Sequence, residues 1–351
     1  MSESKSAEGR GVLPLPAQQR LNQMLIGQFL ARAIALAADL RIADLLRDGP
    51  LSIDELAERT GSHPDALYRV MRAMAAADVF DEQPGRRFSN NEVSTYLRHD
   101  VDGSLATIAS WLSDISGWTA WGRLDYSVRT GKPAFDEVFG VDCFGWLNEH
   151  PRSLRVFQDA MSGYSAVTTR AVIEAYDFSG ITTLLDVGGG HGTLLAGIAS
   201  RWPGLSGILF DRAEVIAEAR AQLGSTEVGR RIQLVAGNFL EGVPVGADAI
   251  ILKHIVHDWD DEHCALLLGH CRKNLSRGNK LLIVESILAD REGDAFPKFL
   301  DLEMLVMMPG GRERTGDEFA KLLARSGFDL TRVIPTRSPV VVIEAVASSA
   351  R

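Results

Sequence analysis

The stretch 181-ITTLLDVGGGHGTLLAGIASRWPGLSGILFD-211 decides the fold class of this chain. A short apolar run ends at Val187, a glycine-rich turn follows, and a helical segment leads to a second apolar run that ends at Asp211. Further apolar runs of the same kind are RIQLVAGN, ADAIILK, KLLIVES and the two halves of FDLTRVIPTRSPVVVIEAV, which meet near Arg337 in an expected hairpin. Runs of this kind separated by helices are typical of a sheet buried on both faces. The pattern predicts a doubly wound α/β domain from about residue 170 to 351.

The glycine-rich turn predicts a cofactor site. Gly188, Gly190 and Gly192 let the backbone turn tightly and approach a ligand, and the following helix N-terminus favours polar groups. Asp211 ends the second strand, where its carboxylate can accept both hydroxyls of a ribose. These features indicate an adenosine-containing cofactor, either NAD or S-adenosylmethionine (SAM). The spacing G-x-G-x-G lacks the last glycine of the dinucleotide pattern.

The N-terminal third is predicted to be helical. Residues 1–15 are expected to form a loose tail, and residues 17–47 are rich in Ala and Leu at helical spacing. An apolar stripe in this segment either packs within the chain or forms a dimer interface; it consists of Leu21, Met24, Leu25, Phe29 and Ala33.

A winged-helix pattern follows. Helices are predicted over 53–60 and 63–77, with a small hairpin at 83–85, Ser52 and Ser62 as helix caps and Pro64 in a first turn. Residues 35–100 contain eight Arg and no Lys against twelve Asp plus Glu, a net charge of −4. The whole chain has a net charge of −9. Because phosphate binding needs clustered positive charge, the sequence predicts no nucleic-acid partner and a structural use of the winged helix.

Residues 101–175 are expected to be helical, with aromatic side chains that either pack in a core or line a pocket. The chain has only three cysteines, two of which, Cys264 and Cys271, lie too far apart on one predicted helix for a disulfide. The first ten residues lack the apolar core of a secretory signal, and charges interrupt the longest apolar stretches. These features predict a soluble cytoplasmic protein with no membrane partner.

The stretch 251-ILKHIVHDWDDEHC-264 joins a predicted strand end to a helix start. A zinc site would use His254, His257, His263 and Cys264, but the last two would diverge on a helix. A magnesium site would use Asp258 and Asp260. A general base fits the pattern better, because His257 falls at the carboxyl end of a strand, where ligands bind in open α/β sheets. Asp261 and Glu262 suit the first turn of the following helix.

Four runs of sequence carry a family resemblance: LLDVGGGHGTLLAGIASRWPGLSGILFDRAEVI, GNFLEGVPVGADAIILKHIVHDWDDEHC, LLIVESIL and GGRERTGDEFAKLLARSGF. In this order they resemble the SAM-dependent O-methyltransferases of the plant caffeic-acid and bacterial natural-product type, which include phenazine and polyketide enzymes. The resemblance implies a Rossmann-like domain whose seven-stranded sheet has an antiparallel last strand. It also implies a winged-helix domain that forms a homodimer through its N-terminal helices. The expected divisions are 16–100 for dimerisation, 101–175 for a linker and acceptor segment, and 176–351 for the SAM domain.

The resemblance also implies the cofactor contacts and the catalytic residues. For SAM, and its product S-adenosylhomocysteine, they are Gly188, Gly190, Asp211, Asn238, Phe239, Lys253 and Ser165. Asn238 stands where the family usually has aspartate, and its amide oxygen can still accept from the adenine amino group. His257 corresponds to the general base, Glu285 and Glu313 to carboxylates that flank and orient it, and no metal is expected. His254 has no such support in this interpretation.

The acceptor is expected to contact Tyr164, Met161, Asp258, Met304 and Met308. Core packing is the alternative for the two later methionines, and Asp258 is ambiguous in role. The predicted function is methyl transfer from SAM to a phenolic hydroxyl of an aromatic, polycyclic natural product, as in antibiotic biosynthesis. Alternatives are an N- or C-methyltransferase, a SAM-sensing winged-helix regulator and, less favoured, an NAD oxidoreductase.

Overall fold

The computed structural model describes residues 16–289 and 293–348. The chain divides into two compact units, one ending at Ser113 and the other beginning at Asp114. The predicted tail 1–15 lies outside the described residues. The domain boundaries at 100/101 and 175/176 stay predictions.

The first unit has the predicted helix–turn–helix and hairpin. Its elements are α1 (Ala17–Asp39), α2 (Ile42–Leu45), β1 (Leu51–Ser52), α3 (Ile53–Thr60), α4 (Pro64–Ala75), β2 (Phe80–Gln83), β3 (Arg87–Asn90) and α5 (Ala106–Trp111). The three strands pair antiparallel in the order β1-β3-β2. Ser52 caps α3 in a capping box with Glu55, as predicted. The prediction for Ser62 is wrong: α4 begins at Pro64 after His63, and the Ser62 hydroxyl accepts from Thr60 at 2.8 Å instead.

Helix α1 exposes most of its apolar stripe within this unit. The exposed fractions are 58% for Leu21, 75% for Met24, 62% for Leu25 and 68% for Phe29. Packing of these side chains inside the first unit is therefore excluded. Among the described residues α1 is also the one helix long and apolar enough to cross a membrane by length and composition alone, which the sequence analysis did not expect. A single helix of this kind near an N-terminus is weak evidence of a span, because soluble proteins contain such helices too.

The second unit begins with helices and continues into a large sheet. Its helices are α6 (Ile115–Trp121), α7 (Leu124–Thr130), α8 (Ala134–Phe139), α9 (Cys143–Glu149), α10 (Pro151–Ala175), α11 (Thr193–Arg201), α12 (Ala213–Leu223), α13 (Asp261–Asn274), α14 (Phe296–Met307) and α15 (Gly316–Arg325). Its strands are β4 (Thr183–Val187), β5 (Ser206–Asp211), β6 (Ile232–Ala236), β7 (Ala249–Lys253), β8 (Lys280–Glu285), β9 (Ile287–Leu288), β10 (Arg314–Thr315), β11 (Phe328–Pro335) and β12 (Val341–Ala347).

The seven-stranded sheet has the order β11-β12-β8-β7-β4-β5-β6. Strands β4 to β8 pair in parallel, and the last strand, β12, is antiparallel to both of its neighbours. The chain runs outward from β4 to β6 and then returns to β7 on the other side of β4. The doubly wound fold with an antiparallel last strand is confirmed, and the strand order reverses between β4 and β7.

Apolar side chains cover both faces of this sheet. One cluster contains Leu185, Ile250 and Ile283, and the other contains Leu184, Ile251 and Leu282, so successive residues of one strand enter opposite cores. This two-sided burial explains why the strands are continuous apolar runs rather than alternating ones. Helix α13 covers one face with its buried side, which consists of Cys264, Leu267, Leu268 and Cys271.

A two-stranded parallel sheet connects the end of β8 to the segment before α15. In it β9 pairs with β10, with Arg314 opposite Ile287 and Thr315 opposite Leu288. The pairing places Glu313 beside the residues that follow Glu285. The sequence analysis did not predict this sheet, since each strand has only two residues.

Candidate active site

The glycine turn lies at the carboxyl end of β4, at the point where the strand order reverses. Gly188, Gly190 and Gly192 have φ values of 68°, 58° and 80°, in the left-handed region that favours glycine. A Cβ on Gly188 would lie 2.4 Å from Ile255 Cδ1, whereas one on Gly190 would have no neighbour within 4 Å. The turn therefore packs closely against the chain at one glycine and leaves open space beside the next.

Asp211 fastens this turn to the end of β5. Its Oδ2 accepts from the backbone N–H of Gly190 at 2.8 Å, and its Oδ1 accepts from that of Arg212 at 2.7 Å. The carboxylate is only partly buried. Each oxygen keeps a second lone pair, which is what two ribose hydroxyls require.

Of the other predicted cofactor residues, Asn238, Phe239 and Lys253 lie at neighbouring strand ends, whereas Ser165 lies on α10. Phe239 packs edge-to-face on Trp259, with ring centroids 5.8 Å apart. The amide oxygen of Asn238 accepts from the N–H of Leu240 at 3.0 Å, so an adenine would use its second lone pair. Burial lowers the pKa of Lys253, while the negative charge of Asp186 opposes that shift.

Asp186 supports the presence of a ligand at this turn. Burial raises its pKa to about 7, against the effect of Lys253. Its Oδ2 has no hydrogen-bond partner in the described ranges 16–289 and 293–348. An unpaired buried oxygen, a glycine with open space beside it and a carboxylate at the next strand end fit a nucleoside-containing cofactor.

His257 lies just beyond β7, in a 3-10 turn formed by Val256–Asp258. Its side chain is buried, and its Nδ1 lies 2.7 Å from Glu313 Oε1. A proton on Nδ1 shared with this carboxylate leaves the lone pair on Nε2, which lies 3.5 Å from Asp258 Oδ1. The arrangement presents one imidazole nitrogen as a proton acceptor and fixes the ring through the other.

Glu285 has a different contact set from Glu313. Its Oε1 accepts from the backbone N–H groups of Ile255 at 3.1 Å, Val256 at 3.0 Å and His257 at 3.4 Å. Its Oε2 lies 3.5 Å from His257 Nδ1, beyond hydrogen-bond geometry for a direct contact. Glu285 therefore fixes the turn that carries His257, and Glu313 orients the ring.

The buried carboxylates around His257 set the proton affinity of its imidazole ring. Burial lowers the pKa of His257, but Glu285, Asp258 and Glu313 more than offset it and raise the pKa from 6.5 to about 10. Burial likewise raises the pKa of Glu285 to about 7 and that of Asp258 to about 6. The histidine therefore attracts a proton far more strongly than imidazole does in water.

Arg314 is a site residue that the sequence analysis missed. Its side chain is buried and donates to the carbonyls of Val256 at 2.9 Å and Trp259 at 2.8 Å, and to Asp261 Oδ1 at 2.8 Å. The neighbouring Arg312 N–H donates to the carbonyl of His257 at 2.8 Å. The segment after α14 thus holds the His257 turn, and the β9–β10 pairing lies within the same segment.

The sequence-based interpretation gave His254 no carboxylate support, and its Nδ1 lies 3.8 Å from Glu285 Oε2, farther than a hydrogen bond. Its ring packs near those of Tyr164 and His257, with centroid distances of 5.2 Å and 5.3 Å. The backbone of His254 is left-handed, with φ of 54°.

The histidines and cysteine of the zinc alternative do not converge. His263 is exposed and contacts Asp260 at 2.8 Å, and Cys264 Sγ faces the carbonyl of Val256. Donor atoms of His254, His257 and Glu285 lie within 4.8 Å of one another, a spacing at which side chains can share a cation. The expected absence of a metal stays a prediction.

The predicted acceptor residues lie on α10, at the end of α14 and, for Asp258, in the 3-10 turn that carries His257. Tyr164 contacts the His254 ring and lies 6.5 Å from the ring of Phe296. Met304 and Met308 are buried, and Gly311 lies against both Met308 and the carbonyls of His257 and Asp258. The hydrogen bond from the Glu313 N–H to Asp301 at 2.9 Å ties α14 to the catalytic segment. Met161 is 37% exposed on α10 and Ser165 is half-buried there, without a described contact to His257.

A doubly wound sheet with a glycine turn at its reversal point and a buried histidine–carboxylate pair at the next strand end defines the class of SAM-dependent methyltransferases. Family models give the particular family: residues 121–329 match an O-methyltransferase domain and residues 23–100 an O-methyltransferase dimerisation domain. The chain belongs to this O-methyltransferase family of natural-product biosynthesis, and the dimerisation domain supports a homodimer.

Individual relatives are similar along almost the whole chain. A phenazine O-methyltransferase of Lysobacter antibioticus is 40% identical over 94% of this chain and 96% of its own length. A mitomycin biosynthesis 6-O-methyltransferase of Streptomyces lavendulae is 36% identical over 93% of this chain and 94% of its own length. The crystal structure of LaPhzM covers 95% of this chain and 100% of its own, with a TM-score of 0.88 and 40% identity.

The family is not confined to transfer to oxygen. An 8-amino-8-demethylriboflavin N,N-dimethyltransferase of Streptomyces davaonensis is 33% identical over 93% of this chain and 95% of its own length. Family membership therefore establishes methyl transfer and leaves the accepting atom to the chemistry of this site.

Proposed function

We propose that this protein transfers the methyl group of SAM to a phenolic hydroxyl of an aromatic, polycyclic natural product, of phenazine or polyketide type. The observation that supports this most is the buried His257, whose Nδ1 is engaged by Glu313, so that the neutral form of the ring carries its lone pair on Nε2. SAM, when bound, supplies a methyl group activated by a sulfonium charge. Two relatives, named as a phenazine O-methyltransferase and a mitomycin biosynthesis 6-O-methyltransferase, support an aromatic acceptor.

The pKa of His257 in this site is close to the pKa of a phenolic acceptor. A phenol has a pKa of about 10 and free histidine about 6.5, so full proton transfer in water costs roughly 5 kcal/mol. Because the carboxylates raise the pKa of His257 to about 10, transfer of the phenolic proton to the neutral ring costs little, and the neutral ring becomes the main form as the pH rises toward that value. The acceptor O–H bond breaks, its proton moves to Nε2, and the electron pair stays on the oxygen, which would form a bond to the methyl carbon in line as the carbon–sulfur bond of SAM breaks and S-adenosylhomocysteine leaves.

The cofactor and acceptor residues of the sequence analysis belong to this proposal. Gly188 and Gly190 provide the turn, Asp211 the ribose contact, and Asn238, Phe239, Lys253 and Ser165 the remaining contacts. The acceptor ring would lie among Tyr164, Met161, Met304 and Met308, with Asp258 beside the reacting oxygen. Flexible thioethers adapt well to flat aromatic rings.

Transfer to nitrogen is the second candidate, since a relative named for N,N-dimethylation shares the fold. The contacts around His257 favour oxygen, because an amine lone pair attacks without prior loss of a proton. Incubation with labelled SAM and matched pairs of polycyclic phenols and arylamines, followed by mass spectrometry, tests the proposal. Labelled product from the phenols and not from the amines is expected, and the reverse pattern would contradict transfer to oxygen.

We also propose that the homodimer forms through α1, whose exposed apolar stripe lies largely in the segment that matches the dimerisation domain. This role accounts for the stripe without a membrane. A cytoplasmic location and the absence of a nucleic-acid partner remain our proposal as well, supported by the free thiols of Cys143, Cys264 and Cys271 and by the acidic winged helix.

A further inference from the structure

Four buried polar atoms around His257 have no hydrogen-bond partner within the described residues: Tyr164 Oη, His254 Nε2, Glu285 Oε2 and Glu313 Oε2. Buried polar atoms are almost always paired, so a concentration of unpaired ones at one place indicates a ligand with several hydrogen-bonding groups. Glu285 and Glu313 already have roles in placing His257. Proton transfer and methyl transfer give no use to the hydroxyl of Tyr164 or the distal nitrogen of His254.

The backbone at His254 is strained in a way that places its ring beside the base. Its φ of 54° is one of four positive values among the non-glycine residues that the structure describes. Such conformations concentrate at functional sites, where the surrounding contacts maintain them. Here the strained residue follows β7 directly, and its ring lies against Tyr164 on one side and His257 on the other.

The two unpaired atoms have complementary chemistry. Burial, together with the positive charges of Lys253 and His257, lowers the pKa of His254 well below 6.5, so its ring is neutral. Glu285 Oε2, 3.8 Å from Nδ1, favours the proton on that nitrogen and leaves Nε2 as an acceptor. Burial raises the pKa of Tyr164 well above its usual range, so its hydroxyl stays protonated and can both donate and accept.

We propose that Tyr164 Oη and His254 Nε2 form a subsite for a neutral hydroxyl on the ring carbon next to the one whose oxygen is methylated. That hydroxyl donates to His254 Nε2 and accepts from Tyr164 Oη. The ring centroids of His254 and His257 are 5.3 Å apart, and a ring nitrogen of one lies within 4.8 Å of a ring nitrogen of the other, a spacing that two oxygens on neighbouring carbons of one aromatic ring can span. This inference rests on the proposed function and names its substrate class: aromatic acceptors with two vicinal hydroxyls.

The same side chains disfavour an anionic substituent on the acceptor ring next to the reacting hydroxyl. Glu285, Glu313 and Asp258 all lie within 3.5 Å of a nitrogen of His257, so a carboxylate placed beside the reacting hydroxyl would meet three others. Like charges at this distance and in a buried site repel strongly. The subsite therefore discriminates between a vicinal hydroxyl and a vicinal carboxylate.

Three naphthalenes with one ring system test the subsite: 2-naphthol, 2,3-dihydroxynaphthalene and 3-hydroxy-2-naphthoate. Their affinities for the full-length protein with S-adenosylhomocysteine present are measured by fluorescence titration. We expect the diol to bind about tenfold more tightly than 2-naphthol, the effect of one or two added hydrogen bonds, and the naphthoate to bind most weakly.

Two variants assign the preference to the subsite. Tyr164→Phe removes only the hydroxyl, and His254→Asn withdraws the ring while asparagine tolerates the left-handed backbone. Both are expected to reduce the ratio of diol to 2-naphthol affinity by about threefold or more. Tyr96→Phe, at an exposed tyrosine of the first unit, is the matched control and should leave the ratio unchanged.

Equal affinities of the diol and 2-naphthol for the wild-type protein would overturn the inference. An unchanged ratio in both variants, or tighter binding of the naphthoate, would do the same. Methylated product is measured in parallel by mass spectrometry. Selective binding of the diol that both variants abolish, without methyl transfer to either naphthol, would support the subsite and count against the proposed function.

Discussion

At the scale of single residues, the site depends on how two glutamates divide the support of one histidine. Glu313 contacts the ring at Nδ1, and Glu285 accepts from three successive backbone N–H groups of the turn. Both are fully buried, so their charges act on His257 with little screening by solvent. Loss of Glu313 should therefore alter proton transfer first, whereas loss of Glu285 should also disturb the backbone.

The variant Glu313→Gln should move the pH dependence of methyl transfer. The base must be unprotonated, so the acid limb of kcat/KM follows the pKa of His257, which the carboxylates raise to about 10. Removal of one negative charge lowers that pKa, and the limb should move to lower pH by about one unit. At pH values below the pKa of His257, kcat/KM of the variant should then be a larger fraction of its maximum at high pH. The maximum itself should fall, because the ring is less well oriented.

Rate–pH profiles of both proteins, with an acceptor whose own pKa lies outside the scanned range, check this expectation. Glu262→Gln, at an exposed acid in the first turn of α13, is the control and should not move the limb. Superimposable profiles for wild type and Glu313→Gln would show that Glu313 does not set the proton affinity of His257.

The sequence predicts the residues of this site better than their contacts. His257, Glu285 and Glu313 could be proposed because each stands in a motif whose order is informative. The role of Arg314 could not, because a buried arginine looks like an exposed one in sequence and its partners lie over 50 residues away. The position of His254 depends on one unusual φ value, which no residue pattern indicates.

At the scale of elements, the glycine turn after β4 and the segment around β10 are the two pieces that shape the site. The apolar runs predicted all seven strands of the large sheet, because burial on both faces makes the central strands continuous apolar runs, although the edge strand β11 is largely exposed. The two-residue strands β9 and β10 are too short to have a periodicity. Yet they bring the two glutamates together, so the element that completes the site was beyond sequence-based prediction.

The turn allows a matched pair of substitutions. Gly188→Ala and Gly190→Ala both place a Cβ on a left-handed residue, which costs about 1 to 2 kcal/mol. Only the first also collides with Ile255, and overpacking adds about 1 to 3 kcal/mol. Chemical unfolding should therefore show a larger loss of stability for Gly188→Ala. Calorimetry should show weaker SAM binding for both, and equal stabilities of the two variants would contradict the described packing of the turn.

Arg314 should be the main support of the His257 turn. Arg314→Met leaves two backbone carbonyls without their buried donor and should lower the free energy of unfolding by about 3 kcal/mol. Arg325→Met, which removes an exposed arginine that donates to the carbonyl of Asp261, is the control and should cost far less. Denaturant titrations decide between them, and similar losses for both variants would contradict this role of Arg314.

At the scale of the whole molecule, the properties to test are the oligomeric state and the metal dependence of the reaction. The acidic winged helix and the exposed stripe of α1 suit a dimerisation surface rather than a DNA-binding one. The sequence could predict the stripe from its helical spacing. It could not decide between internal packing and a dimer, because that depends on which faces the other helices of the first unit leave uncovered.

A charge placed in the stripe should break the dimer. Met24→Glu and Leu25→Glu each bury a carboxylate against an apolar surface, so light scattering after size exclusion should show monomers at micromolar concentration. Arg20→Glu, outside the stripe on the same helix, should remain dimeric. A dimer that survives both stripe variants would place the interface elsewhere.

Removal of metal should leave the enzyme active. The cluster of His254, His257 and Glu285 could share a cation, but Nδ1 of His257 already contacts Glu313. Methyl transfer after dialysis against EDTA should therefore equal that of the untreated enzyme. Loss of activity that added Zn²⁺ or Mg²⁺ restores would show that the reaction needs a metal.

In the proposed reaction His257 removes the proton from the acceptor, and the variant His257→Ala examines this role when SAM affinity is measured separately. Calorimetry should give a SAM affinity near that of wild type, while turnover of a phenolic acceptor falls by about a hundredfold or more. His263→Ala, at the exposed histidine six residues along the same stretch, should retain both properties. Turnover near wild type in His257→Ala, with SAM still bound, would show that His257 does not act as the general base.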